Sequence, residues 1–121
     1  MSTVTFTVLG AAVLLGAALF VLHLRPGANG APWPLAVTHG LLGLAGLGCL
    51  ILFLRAPPPG PDRGTAAFGV ISAALIATAA VVGVGIATIH LLNKGRASPL
   101  IGIHATLAVS GFVILAAYLL A

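Results

Sequence analysis

Apolar residues fill four long blocks of this chain, at roughly 4–24, 34–54, 66–92 and 99–120. Crossing ~30 Å of hydrocarbon takes about 20 mostly apolar residues, and every block reaches that length. The breaks between them read RPGANGAPW, RAPPPGPDRGT and NKGRAS, each with proline or glycine where a helix must stop. The first block lacks a basic leader, is long for a signal peptide and is followed by no small-x-small cleavage site, so it is expected to remain as a helix. The pattern predicts an all-α fold, an integral membrane four-helix bundle in a single transmembrane domain. Its parts are a first hairpin over 1–56, a proline-rich connection over 57–65 and a second hairpin over 66–121.

The two hairpins repeat one another. PLAVTHGLLGLAG at 34–46 and PLIGIHATLAVSG at 99–111 both open Pro-Leu, with histidine five residues after the proline and glycine seven after the histidine. The preceding helix of each hairpin also ends on a histidine, His23 or His90, with Gly16 or Gly83 seven residues before it. The loop separates His23 from His39 by 16 residues and His90 from His104 by 14, so the two copies differ by a short deletion in the turn. A parallel duplication of this kind implies a pseudo-two-fold axis along the membrane normal. Both histidine-bearing turns then lie on one side, and the amino terminus and proline-rich connection lie on the other. His39 and His104 are expected about 7 Å inside their helices, at 1.5 Å per residue. His23 and His90 are expected close to their helix ends.

Composition agrees with the pattern and removes whole classes of function. The chain is 60% hydrophobic and only 5% charged, with a mean hydropathy of +1.24. A soluble domain carries about 25% charged residues, so lipid is the expected solvent for most of this surface. The net charge of +4 arises from five scattered Lys/Arg against the single acid Asp62. No basic run tracks a phosphate backbone, and no nucleic-acid partner is expected. Cys49 falls in an apolar helical run and reads as a small packing residue.

Chemistry is concentrated in the four histidines. An ionisable side chain inside a span is costly and is a functional candidate. Interfacial hydrogen bonding to loops or headgroups would explain one such residue, above all at a helix end. Four in equivalent places of two copies point instead to a metal. His39 shares a helix face with Gly43, Gly46 and Leu50, and His104 shares one with Ala108, Gly111 and Leu115. Small residues permit close helix packing, and they would also clear room for a flat macrocycle beneath a histidine. Gly16, Gly46, Gly83 and Gly111 are the glycines expected in that role.

Imidazole suits iron, copper, zinc and nickel. Hydrolytic zinc would call for an acid or base nearby, but Asp62 is on the opposite side. Copper often takes sulfur, and Cys49 lies near 15 Å from His39 along the helix. Haem asks for axial ligands, an apolar sleeve and cations for its propionates, and Arg25, Lys94 and Arg96 stand at the histidine end. No CxxCH is present, which excludes covalent c-type attachment.

The arrangement resembles the b-type membrane cytochromes, the broad cytochrome b561 and hydrogenase-cytochrome-b class. The likeness rests on His23, His39, His90 and His104 with their flanking glycines, across the four spans. It implies haem b, one or two, on these histidines, with electron transfer as a small subunit or module of a redox complex. It also implies a redox partner subunit or quinone, and a multi-pass place in a bacterial inner (plasma) membrane. That class usually sets haems near both membrane faces. Here the histidines share one face, which argues against a complete haem wire within this chain.

Two other readings stay open on sequence grounds. One is capture of copper, zinc, nickel or a magnesium-bearing pigment by the histidines. The other is a structural subunit of a larger membrane complex or oligomer. Trp33 and Tyr118 read as interfacial anchors, with the lining of a quinone pocket as a second reading of either.

Overall fold

A computed structural model describes residues 2–25, 32–57, 64, 66–92 and 98–120. They form four α-helices: α1 (Ser2–Leu24), α2 (Trp33–Arg55), α3 (Ala66–Leu91) and α4 (Ser98–Leu120). All four are long and apolar enough to cross a membrane. The chain is an all-α four-helix bundle of membrane-spanning type, and lipid is the medium that its outer surface suits. Large apolar side chains such as Leu14, Val81 and Leu120 are exposed along that surface, as expected where hydrocarbon, not water, is outside.

Helix boundaries differ from the sequence expectation by one or two residues. α2 begins at Trp33 and α4 at Ser98, so each opens one residue before its proline. Proline suits the first turn because the N–H it lacks would have no helical partner there. Pro32, in extended conformation, caps α2, and α3 stops at Leu91. His39 and His104 are therefore each six residues in from a helix start, about 9 Å instead of 7 Å.

The helices pack in a ring in which α1 touches α2 and α4, and α3 touches α2 and α4. The contacts within each hairpin, α1 with α2 and α3 with α4, are much more extensive than those between hairpins. Leu9, Leu50, Ile76 and Leu115 form the buried cluster, with Ala12 and Ala79 also buried. Those six are three equivalent pairs of the repeat. Adding 67 carries Leu9 to Ile76 and Ala12 to Ala79, and adding 65 carries Leu50 to Leu115. The duplication therefore extends to the core.

Glycine lets the helices of a hairpin approach. A Cβ on Gly46 would stand 2.6 Å from Leu9 Cγ, and one on Gly111 would stand 2.8 Å from Ile76 Cγ1, the same contact in both copies. Several hydroxyls within the spans find acceptors in the protein itself, which favours their placement in lipid. Thr7, Thr38, Thr78, Thr88 and Thr106 each donate to the carbonyl four residues earlier. The buried Ser72 donates from α3 to the Gly111 carbonyl of α4 at 2.8 Å.

Candidate functional site

All four histidines lie toward the same end of the bundle, but they occupy two tiers. His23 and His90 are the second-last residues of α1 and α3, whereas His39 and His104 lie deeper on α2 and α4. The deep pair meets across the two hairpins, with ring centres 5.9 Å apart and ring planes at 85°. His23 is half-buried and shares a 3.3 Å hydrogen bond between its Nε2 and Ser98 Oγ at the head of α4. His90 is exposed. Among the described residues, no group of three or more His, Cys, Asp or Glu side chains is placed around a common metal position. The deep pair thus brings two imidazoles together, and the outer pair is not grouped with it.

Each deep ring is held by the neighbouring helix of its own hairpin. His39 Nδ1 is 2.7 Å from the Ala12 carbonyl oxygen, and His104 Nδ1 is 2.7 Å from that of Ala79. A carbonyl only accepts, so Nδ1–H donates in both, and the neutral imidazole keeps its lone pair on Nε2. Among the described residues neither Nε2 has a hydrogen-bond partner. The ring rests against a glycine one helical turn beyond the accepting carbonyl. A Cβ on Gly16 would stand 2.8 Å from His39 Cε1, and one on Gly83 would stand 3.0 Å from His104 Cε1.

The four glycines singled out in the sequence are therefore all packed against side chains of this chain. Gly16 and Gly83 meet the deep histidines, each across the hairpin and not along its own helix. Gly46 and Gly111 meet Leu9 and Ile76. Room for something else lies one turn below His39, at Gly43, where a Cβ would meet nothing within 4 Å.

The two seams between the hairpins differ. On the α1–α4 side Phe6 and Phe112 stack with ring centres 4.9 Å apart, and the Phe112 ring also covers Gly10. Their repeat equivalents on the α2–α3 side are Ala73 and Leu47. There the seam holds an apolar groove of ≈ 380 Å³ lined by Leu44, Leu47, Ala77, Ala80, Val81 and Val84. Ala80 and Val84 directly follow Ala79 and Gly83, the residues that hold His104, so the groove begins at the level of the deep pair.

Of the expected cations, Arg25 is exposed immediately beyond α1, at the histidine end. Lys94 and Arg96 lie outside the described residues, as does Asp62. Cys49 is half-buried with a free thiol. Trp33 is exposed at the head of α2. Tyr118 belongs to the opposite end. Its ring packs edge-on to Phe53 at 6.4 Å and lies beside Gly69, so it lines no pocket next to the histidines.

Sequence reasoning missed the accepting carbonyls of Ala12 and Ala79. The signal was present as an alanine four residues before each of Gly16 and Gly83 in the repeat. It also missed the Phe6–Phe112 stack, which breaks the repeat and so leaves no trace in a search for likeness between copies. No protein-family model, no curated protein and no solved structure matches this chain.

Proposed function

We propose that this protein is a membrane b-type cytochrome in which His39 and His104 would hold one haem b. The observation that carries the reading is the matched pair of Nδ1–H···carbonyl bonds, at 2.7 Å in both hairpins. Histidines that ligate metals almost always donate their other ring nitrogen to such an acceptor, which fixes the tautomer and aims the ligating nitrogen. Metal–imidazole bonds are about 2 Å long, so two rings must stand within several ångströms of each other to share one ion. The ring centres of the deep pair are 5.9 Å apart. The open position at Gly43 and the wholly apolar α2–α3 groove that begins at the level of the deep pair support a flat apolar guest.

Bound haem would supply a one-electron couple within the membrane. His39 and His104 would hold the iron, the helical carbonyls fix both rings, and Arg25 offers a cation at the same end for the propionates, with Lys94 and Arg96 supplied by the sequence between α3 and α4. A single site near one membrane face hands electrons to a partner and does not carry them across the bilayer. The partners in this reading are a redox subunit or quinone, in a bacterial inner membrane.

The second reading is a bare transition-metal ion, copper, zinc or nickel, on the same two nitrogens. The close approach of the two rings favours it, since a lone ion needs no room for a macrocycle.

Adding haem b to the detergent-solubilised protein tests both. The expected outcome is a stoichiometric Soret band with sharp reduced α and β bands. It should be lost in His39→Ala and His104→Ala, and retained in His23→Ala and His90→Ala. Stoichiometric metal without porphyrin would establish the second reading, and neither guest would refute both.

A further inference from the structure

The two deep histidines sit in the same backbone device, and sequence likeness between the copies does not by itself explain it. In α1 the carbonyl of Ala12 is four residues before Gly16, so the helix already directs the Gly16 N–H at that oxygen. His39 Nδ1 reaches the same oxygen from outside at 2.7 Å. It can do so because position 16 has no side chain, and the His39 Cε1 lies only 2.8 Å from where a Cβ would stand there. In α3, Ala79, Gly83 and His104 repeat the arrangement at 2.7 Å and 3.0 Å. Real Cβ atoms essentially never come as close as 2.8 Å, so a methyl group at Gly16 must push the His39 ring away from the carbonyl, and one at Gly83, at 3.0 Å, crowds the His104 ring so that it must give by a few tenths of an ångström. Helix α1 is buried at Ala12, and α3 at Ala79, so the backbone has little freedom to follow.

We propose that Ala12–Gly16 and Ala79–Gly83 are two orienting cradles that lock His39 and His104 in the Nδ1–H tautomer. Gly16 and Gly83 are then positioning residues of the site. The cradles also set the two ring planes nearly perpendicular, at 85°. What the aimed Nε2 atoms are for rests on the haem reading. The tautomer lock does not, and it holds whether the guest is haem or a bare ion.

The test uses the full chain in detergent with ¹⁵N-labelled histidine, before any haem is added. His39 and His104 are expected to show Nδ1 protonated and Nε2 unprotonated, whereas His23 is released from any such lock. Gly16→Ala should remove the Nδ1–H signature of His39 and leave that of His104. Gly83→Ala should do the reverse. Gly102→Ala is the control for folding, because a Cβ there meets nothing within 4 Å, and it should change neither. If Gly16→Ala and Gly83→Ala both fold and leave the two tautomers as they were, the proposal is overturned.

Haem titration of the same samples separates this result from the haem reading. Loss of an orienting partner typically weakens metal binding by about 10–100-fold, and that loss is expected for each variant. The low-spin ferric signal of the loaded protein reports the orientation of the ligating rings. Gly16→Ala should move it. A wild-type protein that shows both tautomers but takes up no haem supports the cradles and overturns the haem assignment. One that binds haem with unlocked tautomers does the opposite.

Discussion

At the residue scale, this bundle depends on where side chains are missing. Gly46 and Gly48 are two residues apart on α2, yet they should respond to substitution in opposite ways. A Cβ on Gly46 would meet Leu9 Cδ2 at 2.5 Å and Cγ at 2.6 Å, whereas one on Gly48 would meet nothing within 4 Å. Overpacking of this kind typically costs 1–3 kcal/mol, so Gly46→Ala should destabilise by about that much. Gly48→Ala should be neutral or stabilising by up to about 1 kcal/mol, the helix-propensity gain over glycine. Reversible unfolding in mixed detergent, with both variants in parallel, reads the difference. Much of this scale was visible in the sequence. Leu50 and Leu115 were placed on the histidine-bearing faces by helical spacing alone, and both are fully buried. The pairing of Gly16 was not visible. Its seven-residue spacing to His23 suggested a relation along one helix, but its contact is with His39 on the next. Spacing is one-dimensional, and in an antiparallel hairpin the same residue also has a neighbour that no spacing reports.

At the scale of elements, the two hairpins are near-copies that meet through two unlike seams. The stacked pair Phe6–Phe112 closes one, while Ala73 and Leu47 stand in the equivalent places of the other. Replacing Phe112 by leucine, the residue the first copy has there, should weaken hairpin association. Aromatic pairing contributes about 0.5–1.5 kcal/mol beyond buried area, so a loss of at least that size is expected. Leu47→Phe fills the opposite groove and should leave the α1–α4 seam as it is. Association of separately tagged hairpins expressed together, compared by energy transfer, distinguishes the two. The hairpins themselves were legible because proline and glycine punctuate an otherwise continuous apolar text. The difference between seams was not, since it depends on which helices become neighbours after the copies have folded.

For the whole molecule, the duplication sets where chemistry can occur. Even numbers of spans in each copy return both turns to one side, so the histidines collect at one end while Tyr118 and Phe53 pack at the other. The four-span reading from apolar length was sufficient for this, and the depth of the histidines changed only by the single residue that precedes each proline. Convergence of all four rings was not something span counting could decide. It depends on the 9 Å or so that separates the seventh residue of a helix from its end, and the structure divides the four into a deep pair and an outer pair.

An aromatic stack on one flank and a trough on the other make the pair of hairpins behave as two leaves with a spine. Widening of the bundle is therefore expected as rotation about the line of Phe6 and Phe112, and not as an even swelling. Spin labels at Leu44 and Val84, across the trough, should give a broad distance distribution. Labels at Leu14 and Val109, on the flank of the spine, should give a narrow one. Equal widths would mean that the molecule has no preferred way to open, and that whatever reaches the deep imidazoles from the bilayer has no preferred side from which to come.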